Sequence, residues 1–332
     1  MWIRHRIGDA SFPVVGQSTN MNQIGQQHMI DRRNFIGSSN LCTAGVLINS
    51  GFAGIDDQLT SKPVANNLSS PFKLSLAAYS YRQLLSGSQP KMDLEEFIDD
   101  CARFGLQGTE LTSYYFPQNP TPAFLYNLKA HAFRNGLDVS GTAIRNDFGQ
   151  VDPEKLAVEI SHVKRWVDYA EMMGTSVIRI FAGHHQKNND VNSSYQQMIA
   201  SMEECCDYAG QHGVFLALEN HGGPTATADG LLQFVKDIRS PWFGLNLDTG
   251  NFHSKDIYGD IERIAPHALN VQVKVAVSGP NKQKKEADFD RLKKILTRCK
   301  YRGYVVLEFE EKGDPRLECP KYLDQLRSAF QG

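Results

Sequence analysis

The chain has 332 residues, a net charge of -2 and an apolar fraction of 41%. This balance offers no basic surface for nucleic acid, and no run of about 20 apolar residues is present to span a bilayer. The length suits one large domain with an extension, since an eight-stranded α/β barrel takes about 250 residues.

Residues 1–70 differ from the rest. The stretch 17–30 is rich in Gln, Asn and Met and carries neither helical nor strand periodicity. It is followed by Asp31-Arg32-Arg33-Asn34-Phe35-Ile36-Gly37, which resembles the twin-arginine export signal. A weakly apolar stretch, 41–53, ends in Gly51-Phe52-Ala53, a small-x-small cleavage pattern. Residues 1–53 are thus expected to be a twin-arginine signal and 54–71, with Pro63 and Pro71, a linker. The expected location is the periplasm, or the cytoplasm if the arginine pair belongs only to a basic tail.

From residue 72 onward short apolar runs alternate with amphipathic segments. Strands are expected at 74–79, 108–111, 137–143, 176–181, 214–221, 243–248, 269–275 and 304–309. Helices are expected between them, at about 93–104, 122–135, from 152 through at least 171, 194–211, 227–238, 255–264 and 288–301, with a last one at 320–330. Asp152-Pro153 is the clearest start signal, an N-cap followed by proline in the first turn. Cys101, Cys205, Cys206 and Cys299 fall within these segments, Cys319 just precedes the last one, Cys42 precedes them all, and no C-x-x-C spacing occurs. They read as ordinary thiols.

Strict alternation implies a parallel sheet, because each crossover needs a helix. Eight such units most economically close into a (β/α)8 TIM barrel over 72–330. A doubly wound open sheet is the alternative, but Ser80-Tyr81-Arg82-Gln83 after the first strand is not a glycine-rich phosphate loop.

In such a barrel the active site lies at the C-terminal ends of the strands. The fifth strand ends in Glu219, the sixth in Asp248, and the eighth in Glu308, while the seventh carries Gln272 and Lys274. By period-two alternation these polar residues face away from Leu218, Leu247, Val271, Val273 and Leu307. Three carboxylates and an amide oxygen on neighbouring strands form an oxygen-rich cage. Mg or Mn suits such a cage, and Zn or Co tolerates it. Glu219, Asp248, Gln272 and Glu308 are therefore the expected metal ligands, with Glu310 in reserve. Lys274, His221 and His184 (or its neighbour His185) are the first candidates for substrate contact. Arg145, Tyr79, Glu110, Arg179 and His253 follow, with Arg179 and Glu110 alternatively a buried structural pair.

Residues 72–330 resemble the xylose-isomerase-like TIM-barrel superfamily of sugar isomerases and epimerases. The resemblance rests on Leu218-Glu219-Asn220-His221, Leu247-Asp248-Thr249-Gly250-Asn251-Phe252, Val271-Gln272-Val273-Lys274 and Leu307-Glu308-Phe309-Glu310. It implies a metal held by the last four strands, and it departs at Gln272, where the family pattern has histidine. It further implies Glu219 and Glu308 as the acid and base of an enediolate mechanism on an unphosphorylated sugar or keto-sugar. Two alternatives stay open: a keto-polyol dehydratase of the inosose dehydratase type, and a sugar-binding barrel without catalysis, which the glutamine favours. Assembly into a homo-oligomer also stays open.

Overall fold

The computed structural model describes residues 70–186 and 190–332. The twin-arginine motif and the linker up to residue 69 lie outside the described residues.

The β-branched and aliphatic runs form β1 (Lys73–Ala77), β2 (Gly108–Thr112), β3 (Asp138–Ala143), β4 (Val177–Ile180), β5 (Phe215–Glu219), β6 (Phe243–Asp248), β7 (Ala268–Lys274) and β8 (Tyr304–Glu308). They pair in parallel and close into a barrel in the order β1-β8-β7-β6-β5-β4-β3-β2. Parallel neighbours of this kind need crossover connections, which helices supply. These are α1 (Leu94–Arg103), α2 (Pro122–Arg134), α3 (Pro153–Met173), α4 (Val191–Gln211), α5 (Ala228–Asp237), α6 (Ile257–Ile264), α7 (Phe289–Arg298) and α8 (Pro315–Gln331). No described helix is long and apolar enough to cross a membrane.

Each of these helices opens on an Asp or Thr whose side chain accepts a backbone N–H of the first turn: Asp93, Thr121, Asp152, Asp190, Thr227, Asp256, Asp288 and Asp314. Each cap stabilises its helix by about 1 kcal/mol. The last helix begins earlier than the 320–330 expected. Asp314-Pro315 repeats the start signal of Asp152-Pro153, and Pro320 lies inside the helix instead of opening it. A short antiparallel hairpin between β7 and α7, Ala276–Ser278 with Lys284–Glu286, was not expected. Its three-residue strands are too short to show alternation.

The strand aliphatics Leu74, Leu111, Ile178, Leu216, Leu245, Val271 and Leu307 are buried in one core with helix residues such as Phe97, Val163, Met202, Phe234, Ile264, Leu296 and Leu323. Cys101, Cys205, Cys206 and Cys319 are buried as free thiols, and Cys299 is half-buried. The opposite faces of the strands point to the barrel axis, and there the lining is polar. Ser75 on β1 meets Ser140 on β3 at 2.7 Å, skipping a strand. Side chains from β2 and β7, which are separated in the sheet by β1 and β8, also hydrogen bond to each other. Only side chains pointing into the barrel can reach across in this way.

Candidate functional site

The polar interior has two levels. The lower one is a closed ring of four buried side chains. Glu110 on β2 accepts from Asn270 Nδ2 at 2.7 Å and from Gln272 Nε2 at 2.6 Å. Asn246 on β6 closes the ring, donating to Gln272 Oε1 at 2.6 Å and accepting from Asn270 Nδ2 at 2.9 Å. Each contact fixes one amide orientation, so the ring leaves little freedom to Gln272. Burial, followed by the neighbouring Glu308, pushes the Glu110 carboxyl up to about 7 against the hydrogen bonds that favour its ionised form.

The upper level stands at the strand ends. Arg179 Nε on β4 lies 2.9 Å from Glu219 Oε2 on β5, and Asn251 Nδ2 donates to Glu219 Oε1 at 2.9 Å. Lys274 Nζ on β7 lies 3.2 Å from Asp248 Oδ2, 2.5 Å from Glu308 Oε2 and 3.1 Å from Glu310 Oε1. Burial pulls the Lys274 ammonium toward neutrality, and these three carboxylates outweigh it and hold it charged. Burial also raises Glu219 and Asp248, which Arg179 and Lys274 respectively only partly offset. His221 is driven the other way, down to about 4, by burial and then by Arg179 and Lys274. It is neutral at ordinary pH.

The turn after β6 explains much of this placement. Asp248 Oδ1 accepts from the Gly250 N–H at 2.7 Å, and Thr249 Oγ1 accepts from the Lys274 N–H at 2.9 Å. A Cβ on Gly250 would lie 2.5 Å from Lys274 Cγ, so only glycine lets the lysine stem pass. Asn251, the fourth residue of the motif, then reaches Glu219. Asn220, just past β5, is fastened to the Asp248 backbone by two hydrogen bonds of 2.8 and 2.9 Å.

Glu219, Glu308, Lys274, His221 and Tyr79 all line one cavity of about 80 Å3, together with Tyr114, Arg179, Phe181, Asn251 and Glu310. His184 and Arg145 line an adjoining cavity of about 550 Å3. His253 lines a third cleft, which shares His221 and Asn251 with the first cavity, and its Nδ1 lies 3.0 Å from the Ser278 carbonyl oxygen. His185 meets Ser194 Oγ at 3.0 Å. Arg179 pairs with Glu219 and not with Glu110. Asp248 reaches the cluster through Lys274, whereas Gln272 and Glu110 belong to the ring below. Asn246 and Asn270, which sequence reasoning passed over, share the parity of Asp248 and Gln272 one step earlier on their strands.

Among the described residues, no three His, Cys, Asp or Glu side chains stand close enough to share one ion. The donor chemistry nevertheless fits a divalent cation. Four buried carboxyls (Glu110, Glu219, Asp248, Glu308) face two buried cations (Arg179, Lys274) inside the barrel. Asp248 Oδ2 is buried and accepts no hydrogen bond, and it faces the Lys274 ammonium at 3.2 Å. A carboxylate oxygen balanced by a single shared ammonium, beside a surplus of carboxyls, is a setting that a hard cation stabilises.

A family model described as a xylose isomerase-like TIM barrel matches residues 98–328. No curated protein matches the sequence significantly. Among solved structures, the D-psicose 3-epimerase of Clostridium cellulolyticum H10, determined with D-tagatose, is 16% identical, with a TM-score of 0.65 over 79% of this chain and 100% of that one. The apo 3-keto-D-glucoside 4-epimerase of E. coli is 15% identical, with a TM-score of 0.62 over 77% of this chain and 99% of that one. A xylose isomerase domain protein from Planctomyces limnophilus is 16% identical, with a TM-score of 0.60 over 79% and 99% of the two chains. At these identities the likeness is one of fold.

Proposed function

Since the chain belongs to the xylose isomerase-like TIM-barrel family, we propose that the barrel mouth is the active site of a sugar isomerase or epimerase. The reaction moves a proton on a carbon next to a carbonyl. The observation that carries this reading is that Glu219 and Glu308 line the same small cavity from two non-adjacent strands, each held by its own cation. One carboxylate takes the proton from one face of the substrate, and the other returns a proton from the opposite face. Glu219 suits the role of base, because burial lifts its carboxyl toward neutrality while Arg179 and Asn251 fix its orientation. Lys274 is placed to hold the substrate oxygen that becomes negative as the enediolate forms. Neutral His221 offers one donor and one acceptor to a substrate hydroxyl.

If Glu219, Asp248 and Glu308 drew closer together than they stand here, they would hold a divalent cation (Mn, Mg, Co or Zn), which would polarise the substrate carbonyl as a Lewis acid. Gln272 Oε1 already accepts from Asn246 and would add only its second lone pair. The named activities of the structural neighbours, D-psicose 3-epimerase and 3-keto-D-glucoside 4-epimerase, support a sugar substrate. The engagement of Gln272 and Lys274 within the protein favours a second reading, a sugar-binding barrel without turnover.

Solvent deuterium exchange separates the two. Purified protein, with Mn2+ added, is incubated with ketohexoses in D2O, and label at carbon is followed by NMR. Glu219→Gln and Glu308→Gln should each slow exchange by about 100-fold or more. Exchange at the wild-type rate in both variants would refute the assignment, and absence of exchange beside measurable sugar binding would favour the binding barrel.

A further inference from the structure

The space beside the acids is small, about 80 Å3, whereas the adjoining cavity is about 550 Å3. The two share Tyr79, Tyr114, Phe181 and His221, so they adjoin, and a ligand anchored at Glu219 and Glu308 extends toward the larger one. A short sugar held at the acids leaves most of it unfilled.

The lining of the larger cavity is chemically mixed. Arg145 is there, but so are Asp147 and Glu159; burial raises the Glu159 pKa, against the Asp147 N–H that hydrogen bonds to it and against Arg145. A guanidinium balanced by two carboxylates does not select an anion. Donors and acceptors of both kinds, next to aromatic side chains, suit a neutral ring that carries several hydroxyls.

The wall is also built in advance. Asn146 is buried and brackets Phe181, donating to its carbonyl at 2.8 Å and accepting from its N–H at 2.9 Å. Asp147 Oδ1 accepts from the N–H groups of Gly149 at 2.8 Å and His184 at 3.1 Å. Gln197 on α4 donates to the carbonyls of Phe148 and Gln150, both at 2.8 Å. A Cβ on Gly149 would strike the His184 carbonyl, and one on Gly183 would strike the Asp147 carboxylate. Residues 146–150 after β3 and 181–184 after β4 are therefore held to one another without a ligand, which reduces the entropy cost of binding.

We propose that the larger cavity is a subsite for a second, neutral sugar ring, so that the substrate is a ketose carrying a glycosyl group. This rests on the sugar isomerase or epimerase reading above. Isothermal titration calorimetry of the full chain with D-fructose, lactulose and isomaltulose tests it. The two disaccharides should bind at least about tenfold more tightly than D-fructose. Arg145→Ala and His184→Ala, both at exposed positions, should shrink that ratio toward one while the melting curves stay in place. Equal affinity for D-fructose and both disaccharides would overturn the subsite, and so would a ratio that neither variant moves. If D-fructose still exchanges deuterium, only the subsite falls. If none of the three sugars binds, the sugar reading falls with it.

Discussion

The interior ring makes a strong stability prediction for Gln272→Met, a replacement of similar length without polar atoms. It would strand Glu110 Oε1, whose donor lies at 2.6 Å, and Asn246 Nδ2, whose acceptor lies at 2.6 Å. Both groups are buried, Glu110 at 1% exposure and Asn246 at 0%, so water cannot replace the lost partner. An orphaned buried polar group costs about 1–3 kcal/mol, more when it is charged. Two of them give a loss of about 4 kcal/mol. For a domain of this size, each kcal/mol lowers Tm by about 2–4 °C. The expected fall is therefore about 8–16 °C, read by thermal denaturation followed by circular dichroism at about pH 8, where Glu110 is ionised. The double variant Glu110→Met with Gln272→Met should recover part of the loss, because it removes the orphaned carboxylate. A loss below about 1 kcal/mol in the single variant would refute the idea that these four side chains depend on one another.

Glu110 also predicts a pH dependence. Its carboxyl lies at about 7 against an ordinary 4.5. The folded state thus holds a proton that the unfolded state has released, and this contribution fades as pH rises from 4.5 through 7. Glu110→Gln should remove that slope, gaining on the wild type by about 3 kcal/mol across the window. Urea titrations on both sides of the window check this, and parallel profiles would contradict it. Lys274→Met removes the ammonium shared by Asp248, Glu308 and Glu310 and should cost about 3–5 kcal/mol. Mn2+ should restore part of it, raising Tm more in the variant than in the wild type. A Tm unmoved by Mn2+ in both proteins would count against a cation at these carboxylates. Gln272→His should tighten Mn2+ binding, measured by calorimetry, if residue 272 contributes to the ion; unchanged affinity opposes that role. For the amino terminus we propose export, and sequencing of the protein from the periplasm should begin near Gly54. A retained Arg32-Arg33 pair would count against it.

The barrel was legible because the period-two pattern is local. Each strand's aliphatic face and polar face can be read without knowing its neighbours, and the closed parallel sheet follows from the alternation with helices. The same local rule placed Glu219, Glu308 and Lys274 at the mouth. On the sixth and seventh strands the site reading stopped at Asp248 and Gln272, so Asn246 and Asn270 one level deeper were missed, and with them the ring. Pairing between strands is not local. Arg179 and Glu110 both point inward, but β4 lies beside β5 while β2 lies two places away, so the arginine meets Glu219. His253 follows directly on the Asp248–Phe252 motif in sequence, yet the turn carries its ring to the Ser278 carbonyl of the unforeseen hairpin. The α8 boundary turned on which of two prolines opened the helix, and the preceding aspartate decided it.

The two proposed acid/base carboxylates sit on β5 and β8, with β6 and β7 between them. Strand pairing alone does not fix how far apart their side chains stand. A run of polar contacts does. Arg179 holds Glu219, and Asn251 in the turn after β6 holds its other oxygen. Asp248 in the same turn meets Lys274 on β7, and Lys274 meets Glu308 on β8. Every link crosses to an adjacent strand, and Glu219 and Lys274 each have at least two partners. A reaction that removes a proton from one face of a carbon and returns one to the other depends on the separation of its two acids more than on the strength of either. In this barrel the turn Asp248-Thr249-Gly250-Asn251 sets that separation, since it touches Glu219 directly and Glu308 through Lys274.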